Sequence, residues 1–512
     1  MTCAIGLGCG GAAGRCGRLL DYRLMSETTA KDPRGSRYPE PRRVRPARVG
    51  VFAVGLAAYW PQFPGLRERL LGYLGEVERR IAGFGCELVR AGLVDTAQAA
   101  RQGGDMFARA GVELLVCHTA TYATSSQVLP VVQQTRAPVV VLNLQPAAAL
   151  EYERTDTAEW LANCSACCVP EISNAFARSG IEFHVVSGML FDDPVAWGQV
   201  EQWCRAATAA GSLRNSRIGF LGHTYPGMLD MYSDFTMVHG HFGAHVEVLE
   251  MCDLAKAVER ASDAEIEQKV AEAMQIFELA EGVAEEDLRW AARVAAGLDR
   301  LVDEFDLNGL AYYYRGLDGN LYERLAAGMI LGNSLLTARG VPASGEGDLK
   351  NCIAMLVMDR LGAGGSYTEF YAMDFRENFV LMGHDGPGHI AISDRRPVLR
   401  SLGVYHGKRG YGVSVEFNVK TGPVTILGLT QTREGRFKMI AAEGESLPGP
   451  ILRIGNTNSR IRFSLPPAEF VNRWCLEGPT HHCALGVGHR LGEIEKVARL
   501  LGVPLARVGA AS

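Results

Sequence analysis

The sequence predicts an α/β protein with two doubly wound open α/β domains followed by an antiparallel, β-barrel-like C-terminal domain. Apolar runs alternate twice with segments whose apolar residues recur at helical spacing, and strands buried on both faces and joined by helices form parallel sheets. After residue 349 helices become rare, and short apolar runs follow one another closely with turn residues between them. That pattern is typical of an antiparallel sheet or barrel.

The length of the chain sets the expected number of domains. A chain of 512 residues is too long for one hydrophobic core, since domains usually hold about 100–200 residues. Hydrophobic residues make up 47% and charged residues 21%, which is ordinary globular composition. We expect a disordered N-terminal extension over 1–45, a first α/β domain over 46–187, a second α/β domain over 188–348 and a C-terminal β-rich domain over 349–512.

The first α/β domain opens with the apolar run "ARVGVFAV", which predicts a strand. Apolar residues at helical spacing and a final glycine then predict a helix in "GLRERLLGYLGEVERRIAGFG". Two more helices are expected near 96–110 and 125–136. The other strands of this domain are expected in "CELVRAG", "VELLVCHTA" and "APVVVLNL".

A second round of strands and helices is expected to begin with the strand "EFHVVSG" and a helix near 193–210. Its further strands are predicted in "SRIGFLGH", "AHVEVLE" and "NGLAYYYRG", with two charged helices across 262–304. The same alternation of strands and helices predicts a second doubly wound sheet.

The C-terminal domain follows a helix in "GEGDLKNCIAMLVMDRLGAGG" that glycines close. The chain ends with an amphipathic helix in "EIEKVARLLG". The strands of the barrel are expected in "YTEFYAMDF", "NFVLMGHD", "YGVSVEFNV", "GPVTILGLTQ", "RFKMIAAEG", "PILRIGNT" and "SRIRFSL".

The overall charge and the apolar runs exclude several classes of partner. The net charge of -5 argues against nucleic acid, because phosphate binding needs clustered lysine and arginine. No apolar run reaches the roughly 18 residues that span a bilayer, so we expect no membrane partner. Thirteen cysteines are scattered through the chain without an export signal, which favours a reducing, cytoplasmic location.

Polar residues follow several strands of the two predicted parallel sheets. Ligands of doubly wound sheets bind beyond the carboxyl ends of the strands, so these residues are candidates for ligand binding. They are His118, Thr119 and Tyr122; Asn143 and Gln145; and His223 and Tyr225.

Ionisable residues in apolar, glycine-rich surroundings recur in the last third of the chain. They are Glu346, Glu369, His384, His389, His481 and His482. Two carboxylates and two imidazoles form an oxygen and nitrogen ligand set that suits Mn²⁺ or a similar divalent cation better than tetrahedral zinc. Glu346 is expected to begin a helix, where the helix dipole favours an anion.

The two adjacent histidines, His481 and His482, are expected to point to opposite faces of a strand, so only one of them should easily join a given site. Taken singly, a buried histidine is more often a hydrogen-bonded core residue than a ligand. The metal hypothesis therefore depends on the residues occurring together.

The segments "SGEGDLK", "GGSYTEFY", "LMGHD" and "PTHHC", in this order, resemble the metal-site segments of the L-arabinose isomerase and L-fucose isomerase superfamily, closer to the arabinose isomerase branch. The resemblance covers about residues 47–503 and includes "CHTATYATSSQVLP", which is similar to a ligand segment of that family's first domain. It implies that Glu346, Glu369, His384 and His482 bind Mn²⁺. It also implies that His481 and His118 lie near the sugar and that the protein is a homotrimer or homohexamer with an inter-subunit active site.

Three departures from the family pattern concern positions that face the substrate. Phe370 stands where arabinose isomerases have an acidic residue, and "MGHDGPGH" replaces a more apolar run. Near the N-terminus "GLAAYWPQF" lacks a glutamine and histidine pair. The metal set is retained, whereas the sugar is open.

The resemblance implies a metal-dependent aldose–ketose isomerase that acts on a small unphosphorylated sugar, similar to L-arabinose or L-fucose, through an enediol intermediate. Glu346 and Glu369 would be the acid and base groups, and His118, Thr119, Tyr122 and His481 would bind the substrate. Two alternatives remain open on the residues alone. One is a metal-dependent lyase or aldolase acting on a sugar or sugar acid, and the other is a non-catalytic sugar-binding protein.

Overall fold

A computed structural model describes residues 38–135, 137–315, 320–405 and 408–509. The predicted extension therefore lies outside the described residues up to position 37. Residues 38–45 have no regular secondary structure, but the main-chain N–H of Arg42 donates to the carbonyl of Arg339. Within the described residues every helix is too short or too polar to span a bilayer.

The first sheet has five parallel strands in the order β2-β1-β3-β4-β5. The strands are β1 (Arg48–Val54), β2 (Glu87–Val94), β3 (Leu114–Thr119), β4 (Val139–Gln145) and β5 (Phe183–Met189). The helices that follow them are α1 (Leu66–Gly83), α2 (Ala97–Ala110), α3 (Leu129–Gln133), α4 (Thr157–Ala162), α5 (Val169–Arg178) and α6 (Pro194–Arg214). The order reverses between β1 and β3, which makes this a doubly wound sheet.

One prediction for this region was wrong and another was only partly right. The strand β5 was expected to open the second round of strands and helices, but it pairs in parallel with β4 as an edge of the first sheet. An apolar run identifies a strand and not the sheet that the strand joins. The helix predicted near 125–136 is a short 3-10 turn, Ser125–Gln127, followed by the five-residue α3.

The second sheet has four parallel strands in the order β10-β9-β6-β7. They are β6 (Arg217–Gly222), β7 (His245–Leu249), β9 (Gly309–Tyr313) and β10 (Ala343–Ser344). Its helices are α7 (Phe235–Phe242), α8 (Met251–Glu259), α9 (Asp263–Ile276), α10 (Glu285–Glu304), α11 (Leu321–Ala327) and α12 (Ile330–Ala338). Here too the order reverses, between β6 and β9, so the second doubly wound sheet is confirmed.

The C-terminal region contains a closed antiparallel barrel of six strands, in the order β17-β20-β11-β12-β19-β18, which closes through pairing of β17 with β18. These strands are β11 (Gly364–Asp374), β12 (Phe379–His384), β17 (Gly422–Gln431), β18 (Phe437–Leu447), β19 (Thr457–Phe463) and β20 (His482–Val487). A short strand, β21 (Leu505–Arg507), adds to β18. The predicted fold class is confirmed.

Two predicted barrel strands were wrong. The segment "PILRIGNT" is not a strand before Thr457: residues 450–452 have no regular structure, and the left-handed Gly455 lies in the turn and bend that follow. The run "YGVSVEFNV" forms β16 (Val413–Glu416) outside the barrel, in a small sheet with β13 (Val398–Ser401) and β8 (Glu278–Leu279). The two-residue strands β14 (Val404–Tyr405) and β15 (Lys408–Arg409) pair in antiparallel orientation.

The helix α13 (Leu349–Arg360) lies between the second sheet and the barrel and is buried along nearly its whole length. Its apolar residues face all directions, as expected for a helix with neighbours on every side. Two further helices, α14 (Pro467–Leu476) and α15 (Leu491–Leu501), cover the barrel. The amino end of α13 is thereby fixed where the carboxyl ends of the second sheet meet the barrel.

Candidate metal centre

The candidate site is assembled from the end of β10 and from one rim of the barrel. Glu346 follows β10 immediately, in a 3-10 turn formed by Gly345–Gly347. Glu369 lies on β11, His384 ends β12 and His482 begins β20. Segments that are far apart in sequence therefore meet at the amino end of α13.

The backbone of Glu346 adopts a left-handed conformation, with φ 57° and ψ 10°. Residues other than glycine rarely adopt this backbone conformation, because it is strained. Strained backbone conformations are concentrated at functional sites. Glu346 was predicted to begin a helix, but α13 begins at Leu349, and the carboxylate of Asp348 caps it by accepting from the N–H of Asn351. The left-handed turn directs the Glu346 side chain away from the helix and into the cluster of histidines.

Gly347 is required by the close approach of another chain segment. Its φ is +72°, and a Cβ atom there would lie 2.6 Å from the carbonyl oxygen of His223. We expect Gly347→Ala to lower the free energy of unfolding by at least about 1 kcal/mol, because both the backbone conformation and the space exclude a side chain. A lower midpoint in urea denaturation would measure this loss.

The matched control for that substitution is Gly75→Ala in α1, where a Cβ atom meets no other atom within 4 Å. Replacing glycine by alanine at a compatible helical position is expected to stabilise the folded protein by about 0.4–1 kcal/mol. An unchanged midpoint for Gly347→Ala would contradict the proposed strain.

The barrel strands bring Glu369 and His482 directly opposite each other. These two residues are register partners in the antiparallel pair formed by β11 and β20, and partners in register extend their side chains to the same face. Glu369 is also opposite Gly383, the residue before His384, on the other neighbouring strand.

The potential ligand atoms fall into two overlapping groups. Glu346, His481 and His482 form one group, and Glu369, His384 and His482 form the other, with the ligand atoms of each group all within 4.8 Å of one another. His482 belongs to both groups. Of the residues proposed from sequence for the metal and its surroundings, the structure thus brings together Glu346, Glu369, His384, His481 and His482.

Both adjacent histidines face the site, which corrects the expectation that only one of them could. The Nε2 atoms of His481 and His482 each lie 3.5 Å from the Glu346 Oε2 atom, and their ring centroids are 3.8 Å apart. The strand β20 begins only at His482, so His481 does not follow the alternation of a strand.

Two buried neighbours fix the ring of His482, which is fully buried. Its Nδ1–H donates to the Asp348 carboxylate, with Nδ1 3.0 Å from Oδ2. The other nitrogen, Nε2, accepts from the Tyr367 hydroxyl at 2.7 Å. Histidines that bind metals commonly donate their second nitrogen to a carboxylate in this way, so Nε2 is the nitrogen that would bind a cation, in place of its hydrogen bond from Tyr367.

Burial and hydrogen bonds shift the pKa values of the residues in this cluster in opposite directions. Burial lowers the pKa of His482 to about 4, although the hydrogen bond to Asp348 opposes the shift. Burial also lowers the pKa of His481, but hydrogen bonds to Asp230 and Glu346 outweigh it and raise that pKa to about 10. The pKa of Glu369 is raised, chiefly by burial.

The substrate residues predicted in the first domain lie at the carboxyl edge of the first sheet. His118 and Thr119 end β3 and are fully buried, and the Thr119 hydroxyl donates to the carbonyl of Leu142. Burial lowers the pKa of His118 to about 4. Tyr122 follows in the next loop and is half-buried. These three residues belong to a different sheet from the cluster, and their role in substrate binding stays a prediction.

Sequence reasoning missed three residues of the site: Asp230, Asp348 and Tyr367. Asp348 and Tyr367 lie inside the quoted segments "SGEGDLK" and "GGSYTEFY". Asp230 lies in the segment after β6, where the rule on carboxyl strand ends could have found it.

Comparisons with known proteins identify a family for this chain. The family model for the L-arabinose isomerase central domain matches residues 233–364, and that for the L-arabinose isomerase C-terminal domain matches residues 364–504. A sulfoquinovose isomerase of Alkalicoccus urumqiensis is 24% identical, over 60% of this chain and 68% of that protein.

Two L-arabinose isomerases are similar to about the same degree. That of Mycolicibacterium smegmatis is 26% identical over 62% of this chain and 64% of its own length. That of Herpetosiphon aurantiacus is 26% identical over 77% of this chain and 80% of its own length. A periplasmic solute binding protein of Actinobacillus succinogenes, solved with bound D-allose, has 11% identity and a TM-score of 0.17, covering 58% of this chain and 77% of that one, too little overlap to support an argument.

Proposed function

Because the chain belongs to the L-arabinose isomerase family and is therefore a sugar isomerase that interconverts an aldose and a ketose, we propose that it is metal-dependent and acts on a small unphosphorylated sugar. The observation that carries this proposal is the pair of overlapping groups, one with Glu346 and the other with Glu369 and His384, that share His482. The sugar is expected to be similar to L-arabinose or L-fucose and to react through an enediol.

Glu346, Glu369, His384 and His482 would hold the cation. Two carboxylates and two imidazoles suit Mn²⁺, which accepts mixed oxygen and nitrogen ligands. When bound, a divalent cation polarises the carbonyl and hydroxyl oxygens of the sugar as a Lewis acid. The support from this chain is the pairing of the His482 Nδ1 atom with Asp348, which leaves Nε2 facing the carboxylates.

The proton transfer is assigned to the two glutamates. Isomerisation moves a proton between two neighbouring carbons of the sugar, and a carboxylate on each side can remove and return it. Glu346 and Glu369 come from different elements, one after β10 and the other on β11. His481, which is not assigned to the cation, would hydrogen-bond the sugar hydroxyls.

The charge of the site supports an unphosphorylated substrate. Asp385 lies next to His384, with its Oδ1 atom 3.1 Å from the histidine Nδ1 atom, and it adds a third carboxylate near Glu369. A phosphate or sulfonate close to Asp385, which is not assigned to the cation, would be repelled. We therefore expect a neutral aldose to be preferred over a charged one.

We further propose a cytoplasmic homotrimer or homohexamer in which His118, Thr119 and Tyr122 of a neighbouring subunit complete the sugar site. This proposal is supported by the position of His118 and Thr119 at the carboxyl edge of a doubly wound sheet, where ligands bind in such folds. Those residues belong to the first sheet, whereas the cluster lies at the barrel.

A panel of aldoses tests the proposed function directly. The purified protein with added Mn²⁺ is expected to convert L-arabinose, L-fucose or another neutral aldose into its ketose, and to act less well on a sulfonated aldohexose. Product analysis by chromatography identifies the ketose. Shorter carbon fragments would indicate a lyase instead, and no conversion of any sugar would contradict the proposal.

A further inference from the structure

The loop that follows β6, residues His223–Asp234, reaches from the second sheet to the barrel, and we refer to it as the β6 loop. It starts at the point where the strand order of the second sheet reverses, which is where doubly wound folds place ligands. At its middle is a 3-10 turn, Leu229–Met231, that carries Asp230. Met231 in the same turn is fully buried and anchors it.

Two contacts fasten the β6 loop to the amino end of α13. The N–H of Tyr225 donates to the carbonyl of Glu346 at 2.9 Å. On the other side, the ammonium group of Lys350 donates to the carbonyl of Tyr232 at 2.9 Å and contacts the Ser233 hydroxyl at 3.1 Å. Lys350 is only 1% exposed, so its charge is committed to this contact. Asp230 is held between the two attachments.

Asp230 uses a single carboxylate oxygen for two bonds to His481. Oδ2 accepts from the main-chain N–H of His481 at 3.0 Å and from its Nδ1–H at 2.7 Å. The ring cannot turn over without losing the second bond. Its other nitrogen, Nε2, consequently faces Glu346, with 3.5 Å between Nε2 and Oε2.

We propose that Asp230 is a positioning residue that holds His481 with its Nε2 atom directed at Glu346 and at the sugar. This inference rests on the proposed function, because His481 is the group that would contact the substrate. In enzymes of unrelated folds, a carboxylate bonded to Nδ1 fixes the orientation and tautomer of an imidazole, so that Nε2 contacts the reacting group. Here the carboxylate and the histidine come from different domains, so the dyad also links the second sheet to the barrel.

An Asp230 that only stabilised the fold would make the same two hydrogen bonds. The effect of replacing Asp230 on kcat/KM, measured with and without His481, separates such a structural role from a positioning role. Asp230→Ala is expected to lower kcat/KM by about 10–100-fold, as loss of an orienting carboxylate does elsewhere. In a chain that already carries His481→Gln, the same substitution should change kcat/KM less than about 3-fold, because its partner is gone. Asp230→Asn, which keeps one acceptor oxygen, should recover part of the loss. Asp105→Asn, an exposed aspartate on α2, is the matched control and should change nothing.

A spectroscopic readout tests the dyad without turnover. A proton on Nδ1 that is bonded to a carboxylate gives a downfield, slowly exchanging NMR resonance. His482, whose Nδ1–H is bonded to Asp348, should give a second resonance of this kind. We expect both resonances in the wild type and in Asp105→Asn, and we expect only the His481 resonance to be lost in Asp230→Ala and in His481→Gln.

The outcomes are distinct for the two proposals. Wild-type protein that is inactive on every aldose contradicts the proposed function, and the His481 resonance then still decides whether Asp230 orients His481. Equal losses of kcat/KM from Asp230→Ala in both backgrounds overturn the positioning role. Survival in Asp230→Ala of the resonance that His481→Gln removes overturns it as well.

Discussion

Replacing Glu346 by glutamine is expected to lower kcat by about 10²–10⁴-fold, the usual contribution of a positioned acid or base. Glutamine keeps the length of the side chain but cannot take up a proton. The left-handed backbone of Glu346 is set by its two glycine neighbours and by the hydrogen bond from Tyr225, so the fold should not change. Steady-state kinetics with the preferred aldose measures the effect.

Glu369→Gln is expected to reduce kcat to a similar extent, because the proposal assigns the two carboxylates to opposite sides of the same proton transfer. The matched control is Glu377→Gln, an exposed glutamate in the turn between β11 and β12, which should leave kcat unchanged. Near-normal isomerase activity in both the Glu346 and Glu369 variants would refute their assigned roles. Circular dichroism of each variant checks that the fold is kept.

The spacing of apolar residues predicted the fold class, because burial of one or both faces of a helix or strand determines which positions of the sequence are apolar. The run "GPVTILGLTQ" became β17 with the predicted bounds, Gly422–Gln431. The sheet to which a strand belongs does not determine these positions, and β5 was therefore assigned to the wrong sheet. Turn residues also override apolar content, as the segment before Thr457 shows.

Only part of the candidate site was predicted from the sequence. The motifs pointed to Glu346, Glu369, His384 and His482, which the structure brings together. The rule of alternation failed for His481, because it precedes the first residue of β20. Asp230 acts on the site across a sequence separation of 251 residues, and only the folded chain brings it to His481.

Partners that orient a ligand are difficult to predict for a related reason. Asp348 has a local role as the cap of α13, and this role alone would explain an aspartate at that position. Its second bond, to His482, depends on how α13 packs against the barrel. Tyr367 likewise shows an ordinary strand pattern, while its hydroxyl meets the same imidazole from the other side.

Removal of the bound cation is also expected to have a very large effect on isomerase activity. Incubation with a chelator followed by its removal should abolish isomerase activity, and added Mn²⁺ should restore it. His482→Gln should lower the affinity for Mn²⁺ by more than about 100-fold, since loss of an orienting partner alone costs about 10–100-fold. Isothermal titration with Mn²⁺ measures this affinity without turnover.

A graded series of variants tests whether the geometry around His482 is responsible for that affinity. Asp348→Asn should weaken Mn²⁺ binding by about 10–100-fold, because asparagine still caps α13 but no longer offers a charged acceptor to the His482 Nδ1–H. His489→Gln, at an exposed histidine bonded only weakly to the carbonyl of Gly444 at 3.3 Å, is the control and should bind as the wild type does. The predicted order of affinity is therefore His489→Gln above Asp348→Asn above His482→Gln. Equal affinities across the series would mean that the cation, if one binds, is held elsewhere, and the assignment of His482 would fail with it.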